Sequence, residues 1–198
     1  MRRPGHLTGA VFLLLVTTAL PACSSSLTLT TDATRKVVPQ GLREGAAVKL
    51  GDVRGDPCFR RELTAYLASP GGLELATAER APTYIVDGDL RRIEVHSNRG
   101  DKEVAMLYFS AFVVTAPIAA VMYGAKDWHA DAAAEGGLVV RDAGGRTVWQ
   151  RALTVSIAES QRSMPTADAL TSAMTAAVCQ KLAATLLNAF GEHLAGRP

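Results

Sequence analysis

No charge of one sign dominates this sequence. It carries 21 Lys and Arg against 19 Asp and Glu. Arg2 and Arg3 fall in an N-terminal segment that reads as removable and that holds no acid, so the remaining signs balance. A nucleic-acid binder shows a basic stripe that meets phosphate, and this balance argues against that class. Cysteine is scarce, at three residues. Neither Cys58 nor Cys179 has a cysteine or histidine at ligand spacing, which leaves no zinc motif. Ser24 to Ser26 and Ser163 stand without a positioned base, so nucleophilic catalysis has no support. Gly136-Gly137 and Gly144-Gly145 read as turns, with no Gly-rich phosphate loop around them. Aromatic residues make up only 6% of the chain. Alanine is abundant instead, which suits helices packed closely on a small sheet. No repeat is visible. These absences lead to an expectation of one non-enzymatic domain with no cofactor and no metal.

What is present begins at the N-terminus. Arg2 and Arg3 precede an apolar run from Ala10 to Ala19, softened only by Thr17 and Thr18. The run is shorter than the roughly 20 residues that span a bilayer. Leu20-Pro21-Ala22-Cys23 follows, and then Ser24, Ser25 and Ser26. This is the three-part layout of a secretory signal. Its ending resembles the lipobox of bacterial lipoproteins, which implies removal of residues 1–22 and acylation of Cys23. Ser24 resembles an outer-membrane address, with the inner membrane left open. Cys58 and Cys179 then remain as an even pair in an oxidising compartment. They are either two buried thiols or a disulfide closing a loop of about 120 residues, which stabilises by about 4 to 5 kcal/mol in the chain-entropy model.

Residues 23–45 read as a tether, and residues 46–198 as a single α/β domain. Ala46 to Val53 alternates as a first strand. Asp56 and Pro57 open a helix on which Phe59, Leu63, Tyr66 and Leu67 recur, and Pro70-Gly71-Gly72 stops it. Leu73 to Thr77 is a short second strand. Thr83 to Val95 is the strongest strand, with Tyr84, Val86 and Leu90 on one face and Ile93 and Val95 on the other parity. That change of parity predicts a bulge near Arg91 or Arg92. His96 to Lys102 reads as a polar turn. Leu138 to Arg141 and Arg146 to Ala158 form a hairpin, and Ser160 to Pro165 a loop. Leu170, Met174, Val178, Leu182, Leu186 and Phe190 repeat every four residues on a last helix from about Thr166, ended by Gly191. The economical arrangement is α+β: a two-layer sandwich of a mainly antiparallel sheet with two helices on one face.

The turn Gly51-Asp52-Val53-Arg54-Gly55-Asp56, the strand Ala81-Pro82-Thr83-Tyr84-Ile85-Val86-Asp87-Gly88, and Val139-Val140-Arg141-Asp142 leading to Val148-Trp149 resemble segments of small envelope lipoproteins. The families concerned are the lipopolysaccharide-assembly lipoprotein, the curli-secretion and penicillin-binding-protein-activator group, and the auxiliary lipoproteins of lipid-transport complexes. The resemblance covers most of Ala46 to Gly191. It implies a lipid-anchored protein facing the periplasm, attached to the membrane through its anchor and working with an envelope protein partner.

One stretch does not belong to the sandwich pattern. Val104 to Gly124 holds no charged residue and is flanked by Lys102 and Lys126, with Tyr108, Tyr123 and Trp128 near its ends. As a helix its length matches the hydrocarbon thickness of about 30 Å. Pro117 favours a break within it. Three readings stay open: a buried insertion, a membrane-inserting segment, or an apolar partner surface. Leu107, Phe109, Phe112, Val113 and Ile118 are the candidate contacts. Membrane insertion implies a different protein, an oligomeric secretion or pore subunit, and homo-oligomerisation is left open in either case. Asp127, His129 and Asp131 share a face if they lie on a strand and have ligand chemistry, although a solvated turn explains them equally. Asp87 and Asp89 alternate on one strand face as a carboxylate pair or an outward polar face.

Overall fold

The computed structural model describes residues 47–68, 73–76, 81–98, 128–161 and 166–196. Five strands and two helices run in the order β1 (Ala47–Arg54), α1 (Pro57–Ala68), β2 (Glu74–Leu75), β3 (Tyr84–Ser97), β4 (Trp128–Asp142), β5 (Thr147–Gln161) and α2 (Ala167–Leu194). The sheet order is β2-β1-β3-β4-β5. The long pairs β3–β4 and β4–β5 are antiparallel, and β1 runs parallel to both β2 and β3. A helical crossover joins β1 to its parallel neighbours, as parallel strands require. Both helices cover one face, giving the two-layer α+β sandwich.

Local chemistry places the helices where the periodicity does. Asp56 Oδ1 accepts the Cys58 amide at 2.8 Å, so Asp56 caps α1 ahead of Pro57. Phe59, Leu63 and Leu67 are buried along one stripe. Thr166 caps α2 by accepting the Ala169 amide at 3.2 Å. Gly191 does not end α2. It is buried within the helix, which continues to Leu194. The stop comes one turn later, where Gly196 takes a φ of +67° and its amide bonds the His193 carbonyl. A left-handed residue satisfies the last carbonyls only where the chain leaves the helix, and glycine adopts that geometry cheaply.

β4 explains the abundance of alanine. Ala130, Ala132, Ala134 and Gly136 are buried on its helix-facing side. A Cβ on Gly136 would lie 3.0 Å from Leu182 Cδ2 and 2.9 Å from the Asp89 carbonyl oxygen, so α2 packs almost against the backbone there. Three of the aromatics meet at the far end of α2. Phe190 meets Tyr84 edge-on at 5.5 Å and Trp149 at 5.4 Å between ring centroids.

The bulge in β3 lies where the parity changes, between Leu90 and Arg92, and returns Ile93 and Val95 to the core face. Three boundaries differ from expectation. His96 and Ser97 continue β3, paired to Asp131 and Ala130, instead of starting a turn. β4 begins at Trp128, ten residues before the expected Leu138. β5 runs on through Ser160 and Gln161, expected as loop. Each extension is polar or alanine-rich and gains its strand geometry from the neighbouring ladder rather than from propensity.

Candidate functional site

Three places carry the residues singled out by the sequence. The first joins the helices. Cys58, in the first turn of α1, and Cys179, in the middle of α2, form a disulfide with 6.1 Å between Cα atoms and 121 residues of sequence separation. Both are buried. Tyr66 Oη, one further turn pair along α1, donates to Asn188 Oδ1 of α2.

The second is the helix-free face of the sheet. Alternation puts Asp52 and Arg54 of β1, Asp87, Asp89 and Arg91 of β3, Glu135, Gly137, Val139 and Arg141 of β4, and Gln150 of β5 on that side, and most of them line a shallow groove of about 520 Å³. Asp87 is its centre. One carboxylate oxygen accepts the Asp52 amide at 2.9 Å and the other pairs with Arg141 Nη2. Arg91 bridges Asp89 at 3.2 Å and Glu135 at 3.3 Å, and Arg54 bonds Asp52 at 2.7 Å. The hydrogen bond to Asp52 raises the Arg54 pKa, and those to Asp89 and Glu135 raise that of Arg91. A Cβ on Gly137, which lines the groove, would lie 2.9 Å from the Arg151 carbonyl oxygen. Arg141 Nε is buried without a hydrogen bond among the described residues. The expected Asp87 and Asp89 pair therefore works as two carboxylates that each hold an arginine. The arrangement offers matched charge and hydrogen bonding for recognition. Sequence reasoning missed Arg141, Arg91 and Glu135, because their partners lie 54 and 44 residues away and become neighbours only through the β3–β4 register.

The third is the far end of the β3–β4 ribbon. Ser97 pairs with Ala130, and residues 99–127 connect the two strands beyond that point. Leu107, Phe109, Phe112, Val113 and Ile118 fall in this connection, outside the described residues, as do Cys23 and Asp127. His129 and Asp131 share the helix-free face of β4 and are exposed. Among the described residues no three His, Cys, Asp or Glu side chains are grouped to hold a metal ion.

The fold and these sites define a small α+β domain with a polar open sheet face and an apolar connection at one end. Its overall layout is similar to that of a minor lipoprotein of Acinetobacter baumannii, at 13% identity and a TM-score of 0.43, covering 75% of this chain and 92% of the other. It is also similar to a candidate lipoprotein of Caulobacter crescentus CB15, at 14% identity and a TM-score of 0.41, covering 79% and 94%. No protein-family model matches the chain, and no curated protein matches it. No residue role passes across at this distance.

Proposed function

We propose that this chain is a non-enzymatic, lipid-anchored protein that faces the periplasm from the bacterial outer membrane and serves an envelope assembly or transport complex. The observation that carries the reading is the signal layout ending in Leu20-Pro21-Ala22-Cys23. The Cys58–Cys179 disulfide supports an oxidising compartment. The open sheet face supports a recognition role, since the carboxylates of Asp52, Asp87, Asp89 and Glu135 are held by arginines. Mass spectrometry of the processed chain should find Cys23 as an acylated amino terminus, and crosslinking in intact envelopes should capture a defined protein partner. An unmodified amino terminus overturns the anchor, and a chain that crosslinks to nothing overturns the assembly role.

A second reading is favoured by one observation, that the uncharged stretch Val104 to Gly124 falls in the chain between the two long strands of one ribbon. In that reading the stretch enters the bilayer and the protein is an oligomeric secretion or pore subunit. Deleting residues 104–124 then abolishes oligomers and detergent dependence. Unchanged behaviour on deletion removes this reading.

A further inference from the structure

The outermost strand carries two charges that nothing else in the sheet answers. β5 forms an edge of the sheet, 15 residues long and free of proline, with no strand on its outer side among the described residues. Long edges of this kind template pairing with another chain unless they are blunted. The sheet arginines Arg54, Arg91, Arg92 and Arg141 all hold carboxylates, and Glu94 and Glu135 both hold arginines. Arg151 and Glu159 of β5 make no ion pair among the described residues. They lie eight positions apart on the same face of the strand, roughly 27 Å, too far to reach one another.

We propose that β5 is a homodimer interface, in which two copies of this chain join edge to edge, antiparallel, about a two-fold axis at Val155. That axis sets Arg151 opposite Glu159 twice, once on each side. The same register sets Leu153 opposite Ile157 on the helix-bearing face, and Thr154 opposite Ser156 and Ala152 opposite Ala158 on the open face. The pairs from Arg151 to Glu159 are thus matched in kind, and such pairs are the unit of sheet stabilisation. The unbroken part of the β4–β5 ladder runs from Trp149 to Gln161, and Val155 is its midpoint, so the full regular length of the edge is used. Moving the axis by one residue places Arg151 opposite Ile157 or Gln161 and loses both ion pairs. The interface is isologous and closes on itself, which ends growth at two copies. Lys181 Nζ donates to the Ser156 carbonyl at 3.2 Å. This exposed bond yields to a backbone amide of the second copy. Until then the lysine blunts the edge against other strands. The product is one sheet of ten strands with all helices on one face.

Charge reversal tests the register. Sedimentation of the full lipidated chain in detergent should show a dimer. Arg151→Glu and Glu159→Arg each turn two attractive pairs into repulsive ones and should weaken dimerisation on the order of tenfold. The double reversal should restore it. An equimolar mixture of the two single variants should form heterodimers, because every facing pair is then opposite in sign. Far-UV circular dichroism confirms that each variant is folded; Arg151 is exposed and Glu159 half-buried on the edge strand. A monomeric native chain overturns the proposal, as does a dimer indifferent to reversal or one that the double variant fails to recover.

Discussion

A side chain at residue 51 would fall on the Asp87 carboxylate, and this single contact shows how tightly the open face is drawn together. Asp87 reaches over Gly51 to take the Asp52 amide while holding Arg141 on its other oxygen. Gly51→Ala should therefore push the carboxylate off both partners and lower stability by about 1 to 3 kcal/mol, as overpacking does. Urea unfolding measures it. In an Asp87→Ala background the added loss should shrink, since only Ile85 Cγ2 at 3.0 Å stays close, and a strictly additive pair would contradict this account. Asp142 presents a second residue-scale device. Its carboxylate accepts the Arg146 amide and Arg146 Nε, both at 2.9 Å, and closes the β4–β5 turn. The backbone bond from Arg146, with the Arg146 guanidinium and the Gly144 amide assisting, holds its pKa below the ordinary 3.8. A depressed carboxylate stabilises the fold above its unfolded value and loses that contribution as pH falls through the folded one. Protection of the Arg146 amide against hydrogen exchange, taken relative to its intrinsic rate, should thus hold at pH 5 and fall selectively as pH drops below 3.8. Asp142→Asn should abolish that acid-dependent step.

The disulfide ties the two helices to each other across 121 residues of sequence. Its 121-residue loop limits the unfolded chain by about 4 to 5 kcal/mol in the entropy model, within a usual measured range of about 2 to 5. Cys58→Ser combined with Cys179→Ser should lower the unfolding free energy by that lower range or more, with the urea slope raised little. A variant as stable as the native chain would mean that the packing of α1 on α2 suffices alone. The helices and the Asp56 cap were legible in the sequence because each rests on local spacing, and the disulfide was legible as one of two alternatives, from compartment and the even number of cysteines. The bulge in β3 was legible for the same reason, as a change in apolar alternation. The first ten residues of β4 were not. Ala130, Ala132 and Ala134 have little strand preference of their own and stand there because α2 needs the room. Gly191 misled for a related reason: it is small so that the buried flank of α2 can pack, not so that the chain can turn. The pairing of Asp87 with Arg141 was hidden altogether, since it depends on a register that only the folded sheet sets.

At the scale of the whole molecule, the two segments with membrane chemistry leave the domain at opposite ends of β3. β1 is parallel to β3 and starts beside Tyr84, so the chain coming from Cys23 enters at that end. The connection holding Val104 to Gly124 leaves beyond Ser97, at the other end of a 14-residue strand. The separation is roughly 45 Å at strand rise. Residues 24–46 can span at most about 80 Å when extended, so one bilayer can receive both segments only if that stretch runs much of the length of the sheet. A domain that instead stands away from its anchor presents the apolar connection to a protein partner. The two cases separate in a secreted form that begins at Ser24 behind an unlipidated leader. On the proposed reading, acyl chains on Cys23 contribute about 0.8 kcal/mol per buried methylene, so their loss removes an anchor far stronger than any surface contact. This form should appear in the detergent-free soluble fraction, with its disulfide intact by thiol labelling. If it stays in the membrane pellet and deleting residues 104–124 then releases it, the apolar connection itself holds the bilayer and the secretion-subunit reading takes the place of the anchored one.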